Sequence, residues 1–377
     1  MKIGILTFHR AYNNGAYLQA CALCNRLNME TVIDAEIIDY LMLKEKQLYD
    51  ITGYSLPRKI RRILNGTYSF YKKNRNAFER AVTDPVMKKS EHYLCSDSIE
   101  EFQKFVMGKY DVIIVGSDEV WKVNNFRGFP SPYWLPGNLK CRKMSYAASA
   151  RVDFQSVLSQ DEFNRLREYV KDFELVSVRD YKTLNQLLSL GAIESSVIKS
   201  CDPSFLYDFD ISAVHASDKI RMNRRYKPNR KTVLVITANS EAAKKIQHDL
   251  GKKYNLVAAV APHNGYINVS GITPLEWVSL IRDCDFVISS LFHAACFSII
   301  QNTPFISIDD RKTEDSKLSE LLDDKRLKNR YISDWKSIVD FDCLIDSMSD
   351  CDGFSEYVIG QRHTFQTFLD ELYRAVQ

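Results

Sequence analysis

Apolar and polar positions along the chain fall into blocks that switch between two periods. Residues 2–8 are an apolar run of strand length, 15–27 return to helical spacing, and 35–40 are strand-like again. Further strand-like runs lie at 110–115, 143–148 and 175–178. Helical stretches separate them. Two open on a hydroxyl residue with Glu three positions on, Ser98-Ile-Glu-Glu101 and Ser159-Gln-Asp-Glu162, the spacing of a capping box. Strands alternating with helices predict a mostly parallel sheet covered on both faces.

The pattern breaks at 208–231, which is polar, basic and poorly periodic, with Lys227-Pro228-Asn229 as a turn signal. It then restarts. Strands are expected at 232–237, 256–261, 285–289 and 303–308, and helices from Ser240, from Thr273-Pro274-Leu-Glu276 and from about His293. Two arrays in succession predict an α/β chain of two doubly wound, Rossmann-like domains with a cleft between them. The expected boundaries are 1–189, 190–350, and a last helix within 351–377 that packs back on the first domain.

Charge narrows the partners. Against 51 Lys and Arg stand 48 Asp and Glu, a formal net charge of +3, too balanced for bulk nucleic-acid binding. No apolar run approaches the ~20 residues of a membrane span. The first apolar stretch ends at Phe8 without a small-residue cleavage site and reads as a strand, not a signal peptide. Nine scattered Cys read as reduced thiols of a cytoplasmic protein. Cys21-x-x-Cys24 has no second pair, His293 and Cys296 lack a third ligand, and no cluster calls for a metal or cofactor. One stretch is uneven. Between 58 and 80 lie Arg58, Lys59, Arg61, Arg62, Lys72, Lys73, Arg75 and Arg80 against Glu79, with Ile60, Ile63, Leu64 and Tyr68 interleaved. This is either a solvated helical face or a surface that meets anionic lipid of the inner membrane or a pyrophosphate-linked substrate.

Candidate chemistry gathers where strands end. Ser289-Ser290-Leu291-Phe292-His293 spans a strand end and a helix start, where backbone N–H groups and the positive helix end suit an anion. His293 there suits a general base, or else merely packs. His9, Arg10, Asn13 and Asn14 form a second strand-to-helix turn without a dinucleotide fingerprint. In Gly116-Ser117-Asp118-Glu119-Val120-Trp121 the carboxylates suit sugar hydroxyls and Trp121 a pyranose face; a helix cap at Ser117 or Asp118 with a packed Trp is the plainer alternative. Arg179 follows a strand and suits a phosphate or carboxylate, or else pairs with Asp180. Asp202-Pro203 reads as a turn.

Taken in order, these motifs resemble the polysaccharide pyruvyl transferase family. The resemblance rests on His9…Asn13-x-Gly15-Ala16-x-Leu18-Gln19-Ala20, Gly116-Ser117-Asp118-x-Val120-Trp121, Tyr146-Ala-Ala-Ser149, Ser177-Val-Arg179-Asp180, Asp202-Pro203 and Ser290-x-Phe292-His293-x-x-x-Phe297-Ser298-Ile299-Ile300, and it runs from residue 1 to about 330. It implies a GT-B-like arrangement. It also implies transfer of pyruvate from phosphoenolpyruvate to two hydroxyls of one hexose, in a glycan or a lipid-linked saccharide such as one on undecaprenyl pyrophosphate. Carried over by motif, His293 becomes the acid/base. Arg179, Ser289, Ser290, Leu291, Phe292 and Lys317 fall on the donor side. His9, Asn13, Asn14, Ser117, Asp118, Trp121, Tyr146 and Ser149 fall on the acceptor side.

Three departures stand out. The family's Arg-Leu-His triplet reads Leu291-Phe292-His293, so one donor-side guanidinium is missing, and Arg10, Arg151, Arg311 and Lys317 are the cations that could replace it. Glu119 and Lys122 depart from GSDQVWN, and Ala150-Arg151 follows Ser149 where relatives have Phe-Gly. Two other readings stay open: a nucleotide-sugar glycosyltransferase, for which Glu276 would be the nucleotide-holding carboxylate, and a non-catalytic glycan-binding protein with a decayed site.

Overall fold

The computed structural model describes residues 1–49, 56–84, 87–191, 197–309 and 316–376. Arg311 and the side chains of Arg58 and Lys59 lie outside the described set. Two compact units form. The first comprises Met1–Ser55, Val82–Asp208 and Gly360–Gln377, the second Leu56–Ala81 and Phe209–Ile359.

The first unit carries β1 (Lys2–Leu6), β2 (Asp34–Ile37), a two-stranded ribbon of β3 (Tyr40–Leu41) and β4 (Leu94–Cys95), then β5 (Val112–Val115), β6 (Arg142–Ala148), β7 (Leu175–Val178) and β8 (Val197–Lys199). Its main sheet runs β2-β1-β5-β6-β7-β8, parallel throughout. Strands β1 and β5 are buried along almost their whole length, as both-face coverage requires. The strand expected at 35–40 divides. Its first part joins the sheet and Tyr40 starts the ribbon, with the Ile38 N–H donating to Ile5 at the break.

The second unit carries β9 (Thr232–Ile236), β10 (Asn255–Ala258), β11 (Ile267–Asn268), β12 (Phe286–Ser289), β13 (Phe305–Ile308) and β14 (Tyr331–Ile332) in the order β11-β10-β9-β12-β13-β14, again parallel. Each unit has its own apolar core, with Trp121, Trp134 and Phe154 in the first and Ile246, Ile288 and Ile306 in the second.

The units depart from the expected boundaries for local reasons. β8 extends the first sheet, so residues 190–208 stay with the first unit. Residues 56–81 belong to the second, where Asn74 donates to the Ala259 carbonyl and accepts from the Gly271 N–H at 2.6 Å. The helix Phe354–Val376 is divided as well. Phe354 packs on Phe305 and under the Arg330 guanidinium, while Phe365 and Phe368 pack edge-on against Tyr146.

The capping boxes at Ser159–Glu162 and Thr273–Glu276 form reciprocally. Ser98 caps its helix through the Glu101 N–H, but its hydroxyl turns to Glu100, so that box closes on one side only.

Candidate functional site

In open parallel sheets, ligands meet the C-terminal strand ends where the strand order reverses. In the first unit that point lies between β1 and β5; in the second, between β9 and β12.

Past β1, Thr7 and His9 turn inward. The His9 ring is fully buried, with Nε2 3.0 Å from Asp39 Oδ1 and Nδ1 3.3 Å from the Thr7 carbonyl. Arg10 grips Asp39 with both ends of its fork, Nε to Oδ1 at 2.5 Å and Nη2 to Oδ2 at 2.7 Å, and Lys89 adds a contact at 3.4 Å. Burial lowers the His9 pKa against the pull of Asp39. Burial alone would raise that of Asp39, but the hydrogen bonds from His9 and Arg10 hold it well below the ordinary carboxylate range. The acceptor candidates here are largely committed. His9 is sealed in, Asn13 Oδ1 caps the helix Asn14–Leu27 through the Gly15 and Ala16 N–H groups, and Asn14 is its first residue. Arg10, a candidate substitute for the missing guanidinium, is spent on Asp39.

Past β5 the chain makes a tight loop, not a helix start. Gly116 has φ of 113°, and a Cβ there would sit 2.3 Å from the Tyr146 carbonyl oxygen, so only glycine fits. The Ser117 hydroxyl donates to the Ala147 carbonyl, and Asp118, itself left-handed at φ of 79°, accepts the Ser149 N–H on its backbone oxygen. Trp121 is core. Its ring stacks on Trp134 at 4.9 Å and its Nε1–H donates to the Tyr133 carbonyl, so it offers no face to a pyranose, contrary to expectation. Tyr146 is likewise enclosed, its hydroxyl 3.6 Å from Cys201 Sγ.

Arg179 emerges from β7 into this loop. Its Nη1 donates to Asp202 Oδ2 at 2.8 Å and its Nη2 to Asp118 Oδ1 at 3.2 Å, with 8% of the residue exposed. Expected to hold a donor anion, it meets two carboxylates instead. A phosphate arriving there finds a guanidinium already neutralised. Arg179 and Asp180 do not pair locally. Asp180 accepts the Ser149 hydroxyl at 2.6 Å and caps the helix Tyr181–Ser189 through the Thr183 N–H. Asp202 caps the turn after it, as expected, but its second oxygen is what anchors Arg179.

The second unit's crevice has a different chemistry. Ser289 is consumed by the turn. Its hydroxyl donates to the Ile236 carbonyl and accepts the Leu291 N–H at 2.9 Å. Ser290 donates to the Thr237 hydroxyl at 3.1 Å. Leu291 is the N-cap of the helix Phe292–Ile300 and supplies no capping oxygen. The helices beginning at Asn14, Ile99, Gln160, Tyr181, Ser240 and Pro274 are all capped by a side chain. His293 lies in the first turn of the uncapped helix, its ring edge-on to Phe292 at 5.3 Å. Lys317 opens a short helix, Lys317–Leu321, that packs on Phe292–Ile300, so it shares a unit with the leucine whose missing charge it could replace. Arg151 lies in the other unit.

His263 was not singled out from sequence. It follows β10 and donates its Nε2–H to the Thr237 carbonyl at 2.9 Å, which leaves Nδ1 as acceptor in the neutral ring. Glu276 completes its capping box and binds Lys219 at 2.8 Å, so a structural role accounts for its carboxylate.

The two parallel sheets with their helices make this a protein of two Rossmann-like units, the GT-B fold class. UDP-GlcNAc 2-epimerase from Neisseria meningitidis, solved with UDP-GlcNAc, has this fold (TM-score 0.57, 11% identity, 99% of this chain and 100% of that one). So have UDP-GlcNAc 2-epimerases from Methanocaldococcus jannaschii (0.53, 13%, 95% and 92%) and Rickettsia bellii (0.53, 12%, 100% and 96%). At such identities the likeness is one of fold alone. No curated protein matches the chain in sequence. The polysaccharide pyruvyl transferase family model matches residues 13–311. The chain belongs to that family.

Proposed function

We propose that the protein moves pyruvate from phosphoenolpyruvate to a pair of hydroxyls on a hexose of a glycan or lipid-linked saccharide. Family membership supports the reaction class. The observation that carries the donor assignment is the uncapped helix at Phe292, with Ser290, His293 and Lys317 on the same unit. Phosphoenolpyruvate brings two anionic groups, and an N-terminus without its own capping oxygen suits one of them.

A proton added to C3 of phosphoenolpyruvate makes C2 electrophilic. One sugar hydroxyl forms a bond to C2, the C2–O bond to phosphate breaks, and the second hydroxyl closes the ketal. The two hydroxyl protons balance the one taken up at C3 and the one carried off by phosphate. His293 is the acid/base in this scheme. Arg179 is recast from donor clamp to the residue that orients Asp118, which faces the acceptor. The exposed Ile60, Ile63 and Leu64 beside Arg61 support peripheral contact with an anionic membrane. Among the described residues no helix is long and apolar enough to cross one.

Thermal unfolding with phosphoenolpyruvate, and separately with nucleotide-sugars, tests the reading. A ligand at ~100 times its Kd stabilises by about 2.7 kcal/mol. A shift with phosphoenolpyruvate supports the pyruvyl transfer, and a shift with a nucleotide-sugar alone replaces it with glycosyl transfer. His293→Gln is expected to cost ~10²–10⁴-fold in phosphate release; near-normal turnover would remove His293 from the mechanism.

A further inference from the structure

The second unit carries two successive helices, one partnered and one not. The helix Tyr68–Thr83 buries Phe70, Ala77, Phe78 and Ala81. The helix Leu56–Leu64 before it leaves Ile60, Ile63 and Leu64 at 46%, 54% and 79% exposed. Positions three and four apart share a helix face, so the three side chains form one aliphatic stripe. A basic rim surrounds it. Arg61 is exposed beside the stripe, and Lys72, Lys73 and Arg80 are exposed on the longer helix, where Glu79 pairs with Arg75. The helix Leu56–Leu64 holds no acidic residue.

The chemistry of this face selects its partner. A helix of nine residues is ~14 Å long and ~10 Å across. Its face falls well short of the ~800 Å² per partner that a stable protein interface takes. Pairing with a second copy about a two-fold axis would set the basic rim against itself. A lipid surface asks for neither area nor matched shape. It takes the aliphatic stripe into the acyl boundary and the cationic rim against anionic headgroups.

The stripe also has a fixed place in the unit. The Arg62 guanidinium lies 3.9 Å from the centre of the Tyr71 ring, which holds the short helix to the first turn of the long one. One turn further on, Asn74 donates to the Ala259 carbonyl and accepts the Gly271 N–H. Those two residues follow β10 and β11, at the C-terminal ends of parallel strands. β10 neighbours β9, and β9 and β12 flank the crevice. The stripe is therefore tied to the end of the sheet that carries the crevice. The turn at Lys252 lies at the other end, roughly 13 Å away along β10.

We propose that Ile60, Ile63 and Leu64 insert into an anionic bilayer surface, and that the seating of their helix turns the crevice edge of the second unit toward the lipid. The idea rests on the peripheral membrane contact of the reading above, not on pyruvyl transfer.

The test is flotation of the full chain with vesicles of phosphatidylcholine, alone or with one-third phosphatidylglycerol. The wild type is expected to float with the anionic vesicles, not with the neutral ones, and to be released as ionic strength rises from ~0.1 to ~1 M. Arg61→Gln/Lys72→Gln/Lys73→Gln should raise the apparent Kd on the order of 100-fold, about fivefold for each charge. Ile63→Ser/Leu64→Ser should raise it at least ~10-fold. All five side chains are exposed, so neither variant should melt at a lower temperature. The orientation is read by energy transfer to dansyl-labelled headgroups. The chain's four Trp are buried, so a Trp added at the surface reports its own position as a difference from the wild type. Transfer should be stronger from Asn264→Trp, in the loop after β10, than from Lys252→Trp, in the turn before it.

Three results overturn the proposal: no flotation of the wild type with anionic vesicles, flotation that neither variant weakens, or transfer from Lys252→Trp as strong as from Asn264→Trp. A dimer in light scattering that Ile63→Ser/Leu64→Ser dissolves, without flotation, would assign the stripe to a second copy instead. These mixtures hold neither phosphoenolpyruvate nor a glycan. A failed pyruvyl transfer therefore leaves the vesicle result standing, and a failed flotation leaves the transfer reaction untouched.

Discussion

The two sheets are built alike, yet the crevices at their strand reversals are opposites. In the first unit the C-terminal edge is crowded with charge already balanced from within. Asp39 is held by His9, Arg10 and Lys89, and Asp118 and Asp202 share Arg179. The helices that start there are capped by Asn13 and Asp180. In the second unit the edge carries hydroxyls and imidazoles (Thr237, His263, Ser290 and His293) and a helix whose N-cap residue, Leu291, supplies no capping oxygen. A common fold thus yields one crevice whose fields cancel internally and one that keeps a positive end for an incoming charge. On the proposed reading the anionic donor meets the second edge, where the N-cap residue Leu291 supplies no capping oxygen.

The sharpest way to break this contrast is to remove Arg179. Arg179→Met leaves Asp118 and Asp202 facing each other in a buried loop, and is expected to cost on the order of 3–5 kcal/mol. Calorimetry should show the melting temperature fall steeply, whereas His293→Gln should change stability by no more than about 1 kcal/mol. If Arg179→Met unfolds like the wild type but no longer responds to phosphoenolpyruvate, then Arg179 is a donor residue after all and the edges are not opposites.

Asp39 offers a subtler probe of the same internal balance. Its carboxyl pKa is depressed in the folded protein, so its contribution is fully present above the unfolded carboxylate value of ~3.9 and is lost as pH falls through the folded value. Asp39→Asn should therefore destabilise by roughly 2–3 kcal/mol at neutral pH, with the gap to the wild type closing in acid. Denaturant unfolding at neutral pH and below pH ~4 measures the gap. A gap that is independent of pH would mean that the cluster is held by packing, not by charge.

The sequence carried the architecture because its signals are local. Apolar runs such as that of β5, bounded by glycine and flanked by capping residues, need no knowledge of the partner strand. Short edge strands such as β11, with two residues, carry no such signal. The site was legible in part. His293 and Ser290 sit where a strand-to-helix transition put them. Trp121 takes the packed alternative: a Trp after a strand end can turn either way, and only the Trp134 face, distant in sequence, decides it. Asp39 was missed although it follows the apolar run of β2, where a carboxylate at a strand end could have been noticed. Arg179 was recognised, but its two carboxylate partners exist only in three dimensions.

The smallest expected effect tests the open helix end directly. Leu291→Asp supplies the oxygen that the helix Phe292–Ile300 lacks, and a side-chain cap is worth about 1 kcal/mol. The variant should therefore be slightly more stable than the wild type, with a melting temperature higher by roughly 2–4 °C, the shift expected per kcal/mol in larger domains. The same carboxylate occupies the positive end and repels an incoming anion, so the stabilisation by phosphoenolpyruvate should vanish. Leu291→Ser separates the two causes: it caps without charge, so it should keep the stability gain and lose only part of the ligand response. If both variants gain stability and bind phosphoenolpyruvate as the wild type does, the uncapped end is a gap in local design with no ligand behind it, and the donor must be sought elsewhere on the second unit.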